Sequence, residues 1–246
     1  MNITRKWIPF LAVGCSHGEM IDPVAERGVM QFKERFKPKR IIHLGDFLDT
    51  TCFRSGARGT ADQGEEIEPD FNAGLSFLEK LSVTDALMGN HEARLWRMCS
   101  DPDAKVRWCA LQLINRIREQ CKKQKTRLVE YFPDGELFGY IPIGNYKLMH
   151  GYIFNENACR DHAEAHGNVI HAHTHRPSVA KGRRDDNPTG LCTGTLTRIG
   201  NMDYAKGKRS TLSWGQGFIW GYYTDSQTVC WLFEQPKGMI EWKLPI

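Results

Sequence analysis

The strongest constraint on the fold lies in residues 7–44, which read as strand, helix, strand. Trp7 to Val13 is a short apolar run that ends at Gly14-Cys15-Ser16-His17. Asp22-Pro23 then supplies a helix cap with proline at the first helical position. Val24, Gly28, Phe32 and Phe36 follow at helical spacing, Pro38 closes the helix, and Arg40 to Leu44 is a second apolar run. A strand, a crossover helix and a second strand make a β-α-β unit, which puts the C-terminal ends of both strands on one edge of a parallel sheet. That edge is where open α/β folds hold ligands. The second strand delivers Gly45-Asp46-Phe47-Leu48-Asp49 to it, with glycine allowing a sharp turn and two carboxylates following.

Further helices and strands follow, with no internal repeat. Thr50 to Glu68 reads as a loop over the edge, and Phe71, Leu75 and Leu78 mark a helix. Ala86-Leu87-Met88 is a strand leading into Gly89-Asn90-His91-Glu92. Asp101-Pro102 opens a long helix with Val106, Leu113, Ile117 and Cys121 along it, and residues 93–126 are expected to form a helical lid or insert carrying Arg94, Arg97, Arg107, Arg116 and Arg118. Leu137 to Ile143 and Tyr146 to Met149 flank Gly144-Asn145, a hairpin signal, and end at His150-Gly151. Glu156 to His166 reads as a helix, and Val169-Ile170 as a strand running into His171-Ala172-His173-Thr174-His175. Short strands follow at Pro177 to Ala180, Gly190 to Gly194, Gly217 to Tyr223 and Thr228 to Glu234, with polar loops at Lys181 to Pro188 and Asp203 to Ser213.

His17, Asp46, Asp49, Asn90, His91, His150, His173 and His175 thus all fall at or just past strand ends, and five of the nine histidines are among them. Imidazole, carboxylate and amide oxygen are ligands for borderline divalent metals. Asp46 is the candidate to bridge two such ions, which at roughly 3.5–4 Å apart clamp a phosphoryl group.

In order, His17, Gly45-Asp46-x-x-Asp49, Gly89-Asn90-His91-Glu92, His150-Gly151 and Ala172-His173-Thr174-His175 resemble the motifs of the calcineurin-like metallophosphoesterase superfamily over residues 13 to 175. The resemblance implies a four-layer α-β-β-α sandwich, here one domain over residues 1–246. It also implies two divalent ions, manganese, zinc or iron. The first would be held by His17, Asp46 and His175, the second by Asp46, Asn90, His150 and His173. His91 would protonate the leaving oxygen or stabilise the phosphoryl oxygens, and Asp49 would orient His91. The implied reaction is in-line attack by metal-bound hydroxide on a phosphate ester. Arg94 is the candidate substrate-binding cation.

Three departures matter. Cys15 replaces the family's first aspartate, and three readings stand open: a thiolate ligand of the first ion, a bystander beside a weaker site, or the mark of a lost site. Glu19 could compensate or be a surface charge. Ala172 replaces a glycine. Thr50 and Met88 stand where protein Ser/Thr phosphatases carry arginine, which argues against that activity. His43 reads as a packed residue, His162 and His166 as a surface helix face, and His171 as a support for the motif beside it.

Composition bounds the partners. A formal charge of +4 permits an anionic partner, and basic clusters lie at Lys37 to Arg40, Arg116 to Arg127, Lys181 to Arg184 and Lys206 to Arg209. Eight scattered cysteines without a Cys-x-x-Cys pair read as reduced thiols and a cytoplasmic setting. Arg5, Lys6 and the apolar run before Gly14-Cys15 mimic an export signal, but the run is short and Pro9 interrupts it, so a first strand is expected; no run is long enough to span a membrane. The expected function is a phosphodiesterase or nuclease-like activity on nucleic acid or nucleotides. The alternatives are a phosphomonoesterase on a small metabolite or nucleotide, and a non-catalytic scaffold.

Overall fold

A computed structural model describes residues 6–132, 138–200 and 209–246. Arg5, Leu137 at the start of the expected hairpin, and Asp203 to Lys208 of the expected loop and basic cluster lie outside them.

The chain runs β1 (Ile8–Val13), α1 (Pro23–Phe36), β2 (Arg40–His43), α2 (Ile67–Leu81), β3 (Asp85–Leu87), α3 (Glu92–Met98), α4 (Ala104–Gln124) and β4 (Arg127–Val129). It continues with β5 (Tyr140–Ile143), β6 (Tyr146–Met149), α5 (Ala158–His166), β7 (Val169–His171), β8 (Ser178–Lys181), β9 (Thr189–Cys192), β10 (Gly217–Tyr223) and β11 (Thr228–Glu234). One sheet has the order β11-β10-β1-β2-β3-β4, the other β5-β6-β7-β9-β8. In the first, β1 to β4 are parallel, and β10 and β11 join antiparallel at the edge. The expected β-α-β unit is therefore present, opened by Asp22, whose carboxylate accepts the Val24 N–H at 2.8 Å.

Alternation along β1 builds the layers, since successive side chains point to opposite faces. Phe10 and Ala12 join Ile42, Leu44 and Leu87 against Ile141, Ile143, Leu148, Ile170 and Leu191 of the second sheet. Leu11 and Val13 face the other way, onto Val29, Phe32, Phe71 and Leu78 of α1 and α2. On the far side of the second sheet, Ala163 of α5 packs on Met149 and Val169. The result is the expected α-β-β-α sandwich.

The expected helical insert holds two helices, α3 and α4, and the longer one packs on the core. Helix α4 connects the parallel neighbours β3 and β4 and buries Ala110, Ile114, Ile117 and Cys121 at core-facing spacing. Ile114, Ile117 and Cys121 belong to the same core as Phe71 and Leu78. Asp103, rather than Asp101-Pro102, caps it by accepting from the Lys105 N–H. Its arginines serve the outer surface: Arg116 pairs with Glu68 and Arg118 with Glu130, while Arg107 donates to the carbonyls of Asp101 and Pro102.

Candidate metal centre

The loops after β1, β2, β3, β6 and β7 meet at one place. Those after β1 and β2 are laced together: Cys15 N–H donates to Gly45 O, His17 N–H to Asp46 O and Gly18 N–H to Phe47 O, at 2.9–3.0 Å. Cys15, His17, Asp46, His173 and His175 have φ of 54, 51, 54, 65 and 58°, a left-handed conformation that non-glycine residues rarely adopt. Gly45, at φ +100°, is required by space as well, because a Cβ there would lie 2.6 Å from Gly89 N and 2.7 Å from His150 Nδ1. The Ala172 departure is matched by Gly14, whose added Cβ would sit 2.7 Å from the Ala172 methyl.

Among the described residues the donor atoms converge in three groups, with ligand atoms in each lying within 4.8 Å of one another: Cys15, His17, Asp46 and His175; Asp46, His150 and His173; and His17, Asp49 and His91. His17 Nδ1 bonds Asp49 Oδ1 at 2.8 Å, which leaves the Nε2 lone pair facing His175 Nε2 at 3.0 Å. His150 Nδ1 donates to Leu44 O at 2.8 Å, which turns Nε2 towards Asp46 Oδ2 at 3.2 Å; burial opposes the charged ring, but Asp46 raises its pKa. Asn90 Oδ1 lies 3.0 Å from that Nε2 and 2.9 Å from His173 Nδ1, completing the second group. Imidazole nitrogens, a carboxylate, an amide oxygen and a sulfur gathered this closely are a donor set suited to divalent cations. These donor sets therefore fit two cations sharing Asp46.

The electrostatics agree. Burial pushes His17 and His175 below the ordinary imidazole value and His173 down to about 3, keeping them neutral, the form that binds metal. Burial would raise Asp46 and Asp49, but the surrounding histidines outweigh it and hold both well below the usual carboxylate range. Burial also opposes the charged form of His91, yet Asp46 and Asp49 raise its pKa. The Cys15 thiol is pushed well up, first by burial and then by Asp46, and its sulfur accepts the His173 N–H at 3.3 Å. A thiolate there needs a cation beside it.

Asp49 contacts both His17 and His91, with Oδ1 lying 3.2 Å from His91 Nδ1, and Thr51 donates to its other oxygen. His91 Nε2 points inward, 4.0 Å from Asp46 Oδ2. Arg94, expected on substrate, donates from Nη1 to the carbonyls of Asp49 and Thr50 and braces that loop instead. Glu19 is exposed and belongs to none of the three groups. His43 is packed as expected, against Ser16 Oγ and Gly45 N.

Sequence reasoning missed two carboxylates that shape the loops. Glu92, fully buried, accepts N–H bonds from Asp46, Leu48 and Gly89 at 3.0, 2.8 and 2.7 Å. Asp70 accepts from Asp49 and Thr50, both at 2.9 Å. The position of Glu92 at the end of Gly-Asn-His-Glu could have drawn attention to it; nothing in the sequence marks Asp70. His162 also departs from its surface reading. It is buried, donates to Ala158 O, accepts from Tyr152 N–H and stacks on His171 at 4.3 Å.

No curated protein matches the chain. Among solved structures it is similar to Yfce, a phosphoesterase from E. coli, at 13% identity, covering 92% of this chain and 98% of that one with a TM-score of 0.41. A phosphatase from Mycoplasma pneumoniae shares 12% identity over 94% of this chain and 95% of its own, with a TM-score of 0.46. A Vps29 single mutant from Entamoeba histolytica shares 12% over 93% and 100%, with a TM-score of 0.41. The sequence profile of the calcineurin-like phosphoesterases matches residues 8–206, and the chain belongs to that family.

Proposed function

We propose that this protein hydrolyses phosphodiesters with two divalent cations at the shared edge of its sheets. The observation that carries the reading is the gathering of Cys15, His17, Asp46 and His175, and of Asp46, His150 and His173, with ligand atoms within 4.8 Å of one another in each group and Asp46 common to both. Cys15, His17, Asp46 and His175 would hold one cation, and Asp46, Asn90, His150 and His173 the other. Such ions neutralise phosphoryl oxygens and make water acidic enough to attack at neutral pH. Asp46 belongs to both groups, so its one charge would serve both positions. The raised pKa of His91 keeps a proton at hand for the leaving oxygen, and Asp49 holds that ring through Nδ1 so that Nε2 faces the reacting edge. Cys15 adds a soft donor to the first position, which favours zinc or iron there over manganese.

Room for two ester substituents supports a diester over a monoester. A cavity of about 900 Å³, lined by Thr174 and Arg176 on either side of His175 in sequence, offers room beyond a simple phosphate. Release of p-nitrophenol from bis-p-nitrophenyl phosphate and from p-nitrophenyl phosphate, with manganese, zinc or iron(II), tests the reading. Diester turnover should exceed monoester turnover, and Asp46→Asn and His91→Ala should each lower it. No release with any of the ions, together with less than one bound ion per chain, defeats the enzymatic reading in favour of a non-catalytic one.

A further inference from the structure

The cavity beside the metal edge has a chemistry of its own. One wall carries Thr174 and Arg176, the neighbours of His175; another carries Leu212 and Ser213, which precede Trp214. Trp214 packs edge-on against His175, with ring centroids 4.3 Å apart, so both walls are anchored to the same proposed ligand. The start of α5 forms the far side.

Its lining is cationic and partly aromatic. Arg160, Arg176 and Lys181 line it, with Glu156 as the one acidic residue among the described lining residues. Arg160 is partly neutralised, with Nε 3.6 Å from Asp161 and 3.8 Å from Glu164. Arg176 donates to the carbonyls of Phe154 and Asn155, and Lys181 to Thr189 Oγ1; among the described residues neither has a carboxylate partner. Phe154 and Leu212 are 79% and 75% exposed, large apolar side chains left uncovered at a concave site. Cations without counter-charge suit a phosphate, and an uncovered ring suits a flat base. A volume of about 900 Å³ exceeds what a simple phosphate fills and matches a nucleotide-sized ligand.

We propose that this cavity is the subsite for the nucleotide adjoining the scissile phosphodiester, with its base on Phe154 and its flanking phosphate between Arg176 and Lys181. The substrate class is then a single-stranded oligonucleotide. The inference rests on the phosphodiesterase reading above, and binding separates the two.

The test compares trithymidylate with bis-p-nitrophenyl phosphate as substrates of the metal-loaded wild type, Phe154→Ala, Lys181→Glu and, as a remote control, the exposed helix residue in Trp108→Ala. The kcat/KM ratio of trithymidylate to the aryl diester should fall about tenfold in the two cavity variants, mainly through KM, and hold in the control. Binding of phosphorothioate-linked trithymidylate, followed by fluorescence, should weaken by a similar factor in the same two variants. Ratios and affinities shared by all four proteins overturn the subsite and leave the hydrolytic reading intact. Binding that weakens as stated without hydrolysis of either substrate upholds the subsite and removes the hydrolytic reading.

Discussion

Gly45→Ala should be among the most damaging single-methyl additions in this chain, and the structure divides its cost into two parts. The first is conformational: φ is +100°, and a left-handed backbone costs an L residue about 1–2 kcal/mol. The second is steric: the new Cβ would lie 2.6 Å from Gly89 N and 2.7 Å from His150 Nδ1, an overlap of the kind that costs about 1–3 kcal/mol. Gly59 isolates the first part, since its φ is +78° and nothing lies within 4 Å of an added Cβ. We expect a loss of about 3 kcal/mol for Gly45→Ala and about 1 for Gly59→Ala. In a chain of this size 1 kcal/mol shifts Tm by about 2–4 °C, so the falls should be near 9 and 3 °C. Thermal and urea unfolding measure them. Gly45→Ala should also reduce metal uptake, because the methyl displaces the ring that donates to Leu44 O. Equal losses in the two variants would refute the steric argument, and full metal uptake by a destabilised Gly45→Ala would refute the link to the site.

The remaining expectations concern the metal edge and its surroundings. Asp46→Asn and His91→Ala should each lower metal-supported turnover by at least about a hundredfold while circular dichroism shows a retained fold; near-normal rates in either would remove that residue from the machinery. Cys15→Ala should weaken zinc binding more than manganese binding, by about tenfold in the ratio of affinities from calorimetry, and an unchanged ratio would make the sulfur a bystander. Burial lowers His162 from 6.5 to about 3, so the unfolded chain takes up a proton there before the folded one does. The associated stability is intact above pH 6.5 and is lost progressively as pH falls towards 3, amounting to about 2 kcal/mol by pH 5. Wild type should therefore lose about that much more than His162→Gln between pH 7 and 5 in urea titrations, and parallel losses would contradict it.

Much of the molecule was legible from residue order, for reasons visible in particular segments. Ile8–Val13 and Arg40–His43 are apolar because both of their faces are covered, and Gly45 and Gly89 mark where a side chain would collide with a neighbouring loop. The histidines at the strand ends converge because parallel strands share an edge. What escaped the sequence depended on information it does not number. The stripe of Ala110, Ile114, Ile117 and Cys121 shows that α4 has an apolar face, but not that this face meets α2 on the outside of the sheet. Arg94 looked available because its acceptors are backbone carbonyls, which every residue carries. Glu92 and Asp70 act through backbone N–H groups for the same reason. His162 resembled a surface residue because its ring is satisfied by Ala158 O and Tyr152 N–H rather than by a patterned partner.

The left-handed backbone at Cys15, His17, Asp46, His173 and His175 has a thermodynamic consequence. At about 1 kcal/mol apiece, the five positions together cost about as much as the net stability of a marginal domain. The hydrogen bonds that lace the loops, and the buried Glu92 and Asp70 carboxylates, are what hold that backbone in place. Bound cations would return stability by mass action. Variation that drifts these positions towards glycine would give a sturdier protein with fewer ligands, a trade between endurance and chemistry.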